Sequence, residues 1–171
     1  MKVGILGGTF DPPHLGHLMA AEIALQEVKK VIWVPSFKHA FGKEPTSFKH
    51  RCKMVREMIK DRKDMWFNRI ERDLKTPQWT ETVIKELIKQ EEWKKDTYRF
   101  ILGESEKAYI HKWHDFKEVA RLAPPLWITM TYPHKETRST TIREKLIRGI
   151  EPEGMLHDNV LKYIKEHKLY V

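Results

Sequence analysis

The chain has 171 residues, 40% hydrophobic and 33% charged, which suffices to close a core of ordinary size and excludes a disordered chain. Its formal net charge of +8 favours anionic ligands (nucleotides, nucleic acids, acidic surfaces) without choosing among them. The lone Cys52 excludes an internal disulfide and suits a reducing compartment, where it reads as a small buried apolar side chain.

The first eight residues lack a signal-peptide pattern, and no apolar run reaches the ~20 residues of a membrane-spanning helix. The expectation is a cytoplasmic protein with no membrane contact. Residues 2–6 form an aliphatic run closed by Gly7-Gly8 and predict a buried first strand, with the glycines turning the chain. Leu18, Ala21, Leu25 and Val28 recur at helical spacing, and residues 31–34, stopped by Pro35, predict a second strand. Residues 36–46 read as a loop, and Met54, Met58 and Ile59 mark the next helix. Residues 65–70 predict a strand broken at Thr76-Pro77, before a helix with Val83, Ile84, Leu87 and Ile88 on its apolar stripe. Residues 98–102 predict a strand ending at Gly103, followed by a helical stretch to about Ala120 and a strand over 126–130. Thr141 and Glu144 have capping-box spacing, which predicts a helix opening there and running through Ile147; a last amphipathic helix covers 156–167. Strands alternating with helices, without linker or repeat, predict one doubly wound α/β domain over residues 1–171 with a mostly parallel sheet.

Such sheets bind ligands at the carboxyl ends of their strands. Gly7, Gly8, Thr9 and Phe10 stand at such an end, where backbone N–H groups and the following helix N-terminus can cradle a phosphate. His14 and His17, three residues apart at the helix start, can point one way and donate N–H bonds to phosphate oxygens. Ser139, Thr140 and Arg143 place hydroxyls and a guanidinium at a second helix start.

The run Gly8-Thr9-Phe10-Asp11-Pro12-Pro13-His14-Leu15-Gly16-His17 resembles the GTFDPxHxGH motif of the superfamily that holds adenylyl- and cytidylyltransferases, which implies a Rossmann-like fold. Residues 137–143 resemble its I-S-S-T-x-I-R element, which contacts ATP phosphates; Thr137 and Arg138 depart from its Ile and first Ser. Residues 100–105 followed by Trp113-His114 resemble the I-G-A-D-S … W-H stretch of bacterial nicotinate-nucleotide adenylyltransferases, with Glu104 and Ser105 replacing Ala and Asp. That resemblance implies that Trp113 stacks on a pyridine ring and that the Gly103 region lines the adenosine pocket; a purely packing role for Trp113 stays open. Trp79 and Thr80 resemble a Tyr-Thr element near the mononucleotide, residues 48–51 resemble a helix-start E-H-R, and Lys43 falls in the loop expected to offer a phosphate-facing lysine.

The implied reaction joins ATP to nicotinate or nicotinamide mononucleotide, releasing pyrophosphate, with Mg²⁺ carried by the triphosphate and no dedicated carboxylate cluster for it. His14, His17 and Arg143 would carry the chemistry, with Asp11 bracing the loop rather than acting as a base. Alternatives within the superfamily are a phosphopantetheine adenylyltransferase and a cytidylyltransferase, whose Ser-Thr-Thr element Ser139-Thr140-Thr141 resembles. A nucleic-acid-binding module on a dead enzyme fold is disfavoured by the intact histidines and Arg143. The sequence leaves the oligomeric state open.

Overall fold

A computed structural model describes residues 1–38, 45–75, 78–90 and 94–171; Lys43, Thr76 and Pro77 lie outside the described residues. The five strands β1 (Lys2–Gly8), β2 (Lys30–Pro35), β3 (Met65–Phe67), β4 (Thr97–Gly103) and β5 (Pro125–Ile128) form one sheet in the order β3-β2-β1-β4-β5. Every pairing is parallel. Parallel neighbours need crossovers, and the helices supply them: α1 (Leu15–Ala24), α2 (Phe48–Ile59), α3 (Thr80–Lys89) and α4 (Phe116–Leu122), with α5 (Ser139–Ile147) and α6 (Asp158–Glu166) after the last strand.

The strands alternate between two apolar layers, as a pleat buried on both faces requires. Leu6, Val31, Trp33, Ile101 and Leu126 face the layer of α1, α2, α5 and α6. Val3, Ile5, Ile32, Val34 and Phe100 face the layer of α3 and α4. Gly4 marks the tightest approach in β1, where a Cβ would stand 2.8 Å from Ile101 Cδ1. The chain builds outward from β1 to β3, then returns to lay β4 beside β1. Strand order therefore reverses between β1 and β4, which opens a crevice at their carboxyl ends.

The doubly wound reading holds, and four local expectations change. Gly7 and Gly8 do not turn the chain: they are the last residues of β1, paired with Val34 and Pro35, and the turn comes at Phe10 with φ of 51°. Helix α1 stops at Ala24, leaving Val28 in the connection to β2. The third strand ends at Phe67 because Ile70–Asp73 winds into a 3-10 turn. Helix α5 starts at Ser139, with Arg138 as an N-cap that makes no side-chain cap bond; Thr141 is already inside the helix and the expected capping box is absent.

Candidate active site

A cavity of about 740 Å³ occupies the crevice, floored by the ends of β1, β4 and β5. Gly7, Gly8, Thr9, His14, His17 and Gly103 line it. Gly8 carries no side chain because a Cβ there would press on the Phe10 ring at 3.1 Å. That ring is fully buried against Trp33 and edge-on to His17, so Phe10 anchors the turn from beneath and, unlike Thr9, does not itself line the cavity. Among the described residues, the N–H groups of Thr9 and Phe10 have no hydrogen-bond partner, which leaves both donors for a ligand.

The two histidines stack, ring centroids 3.7 Å apart. Gly16 permits this: a Cβ there would sit 3.0 Å from the His14 ring and 3.3 Å from the His134 carbonyl. His17 Nδ1 accepts the backbone N–H of His14 at 3.1 Å, the half of a capping box contributed by the third helical residue. With Nδ1 an acceptor, the proton of the neutral ring belongs on Nε2, which is then a donor. Burial, helped by the Arg138 charge, lowers the His17 pKa to about 3; burial, then His17, Arg138 and His134, lowers that of His14 to about 2. Both rings are thus neutral N–H donors near pH 7. Among the described residues His14 Nδ1 is buried without a partner. An anion above the pair would reverse the electrostatic cause of both shifts.

The loop leading to these histidines is tied down on several sides. Arg51, fully buried on α2, donates to the carbonyls of Thr46 (2.8 Å), Thr9 (2.6 Å), Ser36 (2.7 Å) and Phe37 (3.2 Å). It thereby joins the ends of β1 and β2 to the start of α2. Ser139 Oγ donates to the Pro12 carbonyl at 2.9 Å, and Arg143 Nη1 to the Asp11 carbonyl at 2.6 Å. The Asp11 carboxylate accepts the Thr46 N–H at 3.2 Å, so it braces. Glu71, also buried, lines the cavity and accepts the Phe37 N–H at 2.8 Å. Burial raises its pKa to about 7 against the opposing effects of that bond and of Arg51.

On the far side, Thr80 and Trp113 line the cavity. Trp113 does two things at once: its ring meets Phe100 and Phe116 edge-on, at 5.8 and 5.9 Å, within the apolar layer, and it also borders the cavity. Trp79 is not part of the wall. It is 41% exposed and stacks on His114 at 4.6 Å, and His114 Nδ1 bonds the buried Glu81 at 2.6 Å. Ser139, Thr140 and Arg143 also stand behind the cavity wall, Ser139 and Arg143 holding the loop carbonyls and Arg143 reaching Thr140 Oγ1 at 3.4 Å. Among the described residues no group of three or more His, Cys, Asp or Glu is placed to hold a metal, and no helix is long and apolar enough to cross a membrane.

Sequence reasoning missed three site residues. Arg138, read only as a departure from a motif, lines the cavity and puts its charge beside both histidines. Glu71 stands just past the strand expected over 65–70 and gave no signal. Arg51 did give one: it shares the buried stripe of α2 with Met54, Val55 and Met58, so a cation occupies an apolar position.

The cytidylyltransferase-like family model matches residues 5–145. The chain is 32% identical to a Bacillus pumilus protein named probable nicotinate-nucleotide adenylyltransferase, over 99% of this chain and 98% of that one. It is 34% identical to a Listeria welshimeri protein of the same name, over 99% and 97%. Among solved structures, Plasmodium falciparum nicotinic acid mononucleotide adenylyltransferase complexed with NaAD superposes with a TM-score of 0.77 at 18% identity, covering 99% of this chain and 97% of that one.

Proposed function

We propose that this chain, which belongs to the nicotinate-nucleotide adenylyltransferase family, transfers AMP from ATP to nicotinate mononucleotide, releasing pyrophosphate and forming the dinucleotide of NAD biosynthesis. The observation that carries the chemistry is the stacked His14–His17 pair lining the crevice beside the free N–H group of Thr9. These donors suit a phosphate chain lying across the end of β1.

The acceptor's phosphate oxygen attacks the α-phosphorus in line, and the α–β bridging oxygen leaves with pyrophosphate. A phosphate monoester is already ionised near pH 7, so no general base is needed; the protein contributes position and charge compensation. His17 Nε2–H donates to the oxygens where charge develops, His14 assists, and Arg138 and Arg143 supply the cationic surroundings. ATP enters as its Mg²⁺ complex, with phosphate and water oxygens filling most of the metal's coordination. Thr80 and Trp113 face the mononucleotide, with Trp113 offering its ring to the pyridine. The carboxylated ring is favoured over the amide by the relatives' names and by the chain's positive charge.

Pyrophosphate release, measured with ATP or CTP against nicotinate mononucleotide, nicotinamide mononucleotide and phosphopantetheine, tests the reading. ATP with nicotinate mononucleotide should give the highest kcat/KM. Preference for CTP, or for phosphopantetheine, would refute it.

A further inference from the structure

Residues 167–171 follow the last helix and lie beyond the segment matched by the family model. They nevertheless return to the active-site loop. The Tyr170 hydroxyl donates to Asp11 Oδ1 at 2.6 Å, across 159 residues of chain. We propose that Tyr170 is a positioning residue for the ATP-phosphate cradle, acting through Asp11; this rests on the adenylyltransferase reading above.

Asp11 is a junction of three elements. Its Oδ1 takes the Tyr170 hydroxyl, its Oδ2 the Thr46 N–H and its carbonyl the Arg143 guanidinium. It lies between Phe10, whose left-handed backbone makes the turn, and the Pro-Pro segment that delivers His14. The direction of the carboxylate is therefore coupled to where Arg143 and the Thr9–Phe10 N–H groups point.

The tail is shaped for this contact. Lys168 and Tyr170 have φ of 49° and 60°. Left-handed backbone is unfavourable for side chains of this size and persists where surrounding contacts over-determine it. Leu169 N–H bonds the Ile164 carbonyl, and Leu169 and Tyr170 pack against the layer beneath α1 and α6. The ring is thus held by packing, while the hydroxyl alone reaches the loop. Burial, and then the bond to Asp11, pushes the hydroxyl's ionisation well above the usual tyrosine range, so it remains a donor at working pH.

Tyr170→Phe keeps the ring and removes only the hydroxyl. In the full chain, ATP dissociation constant by calorimetry, kcat, both Michaelis constants and melting temperature are compared with wild type. A lost hydrogen bond to a charged group predicts about a 10-fold loss in kcat/KM for ATP or in ATP affinity. The KM for mononucleotide should stay within twofold and melting within a few degrees. Deleting Val171, which is 92% exposed, should change nothing. In Tyr170→Phe/Asp11→Asn the two losses should fall short of additive, because one route carries both. ATP parameters within twofold of wild type, or both Michaelis constants drifting together with melting, would make Tyr170 a C-terminal anchor only. If the wild-type chain binds ATP yet makes no dinucleotide, the acceptor assignment falls, and the ATP affinity of Tyr170→Phe still decides this proposal.

Discussion

At the end of β1 the cavity wall is held by hydrogen bonds to main-chain atoms. Arg51 closes on four carbonyls, Ser139 and Arg143 on two more, and the Asp11 carboxylate on a loop N–H. Around Trp113 the wall rests on ring contacts instead: Trp113 is edge-on to two phenylalanines, while Trp79, outside the wall, stacks on an exposed His114. Main-chain bonds fix atoms in place, whereas ring contacts leave a side chain free to slide or re-aim at small cost. The first arrangement suits the end where charge develops and donors must be preorganised. The second suits the end that admits and selects the acceptor. On this account chemistry and selectivity are carried by separate walls of one cavity.

The largest expected effect of breaking that division is at His17. His17→Ala should lower kcat by about 10²–10³-fold, the typical cost of losing a preorganised donor to a developing oxyanion. Loss of its Nδ1 acceptor leaves only the His14 N–H at the mouth of α1 unpaired, so melting should move little. Near-normal pyrophosphate release by this variant would place the chemistry elsewhere.

Trp113→Ala should act on the other wall. Loss of stacking of this kind costs about 1–3 kcal/mol by analogy with base–aromatic contacts, or roughly 5- to 150-fold in mononucleotide affinity. ATP affinity should hold, and Trp113→Phe should recover much of the loss. Titrations in which Trp113→Ala weakens ATP as much as mononucleotide would erase the distinction between the walls.

The smallest effect is on stability against pH. The folded pKa of Glu71 is raised from 4.5 to about 7, so the folded state holds a proton that the unfolded chain has released. The contribution is full below 4.5 and is lost as pH rises through about 7. The histidines run the other way: their folded pKa values lie near 2 and 3, so their contribution is full above 6.5 and is lost as pH falls. Melting followed upward from pH 6.5 should therefore decline in the wild type and flatten in Glu71→Gln. Equal slopes would show that Glu71 is ionised in the fold.

Much of this was legible from local pattern. Aliphatic runs ending at Pro35 and Gly103 marked β2 and β4, and the strand–helix alternation sufficed for the doubly wound sheet. The glycines and histidines of residues 7–17 are close in sequence as in space, which is why that half of the site could be read. What escaped was long-range: Arg51 reaches Thr9 across 42 residues and Tyr170 reaches Asp11 across 159, and no periodicity encodes such pairs. Trp79 escaped for a different reason. An aromatic beside a Thr gives no sign of whether its ring faces a cavity or, as here, a histidine outside it. The start of α5 was misplaced because Thr141 and Glu144 have the spacing of a cap, while the helix begins two residues earlier without one.

Attack by the acceptor's phosphate on the α-phosphorus of ATP can be followed by isotope transfer. Nicotinate mononucleotide carrying ¹⁸O in its three non-bridging phosphate oxygens is incubated with unlabelled Mg²⁺–ATP and the chain, and products are weighed by mass spectrometry. The dinucleotide should retain all three labels, one of them in the bridge, and the pyrophosphate should carry none. Release of AMP with a labelled, pyrophosphorylated mononucleotide, or recovery of unreacted acceptor beside hydrolysed ATP, would contradict that attack.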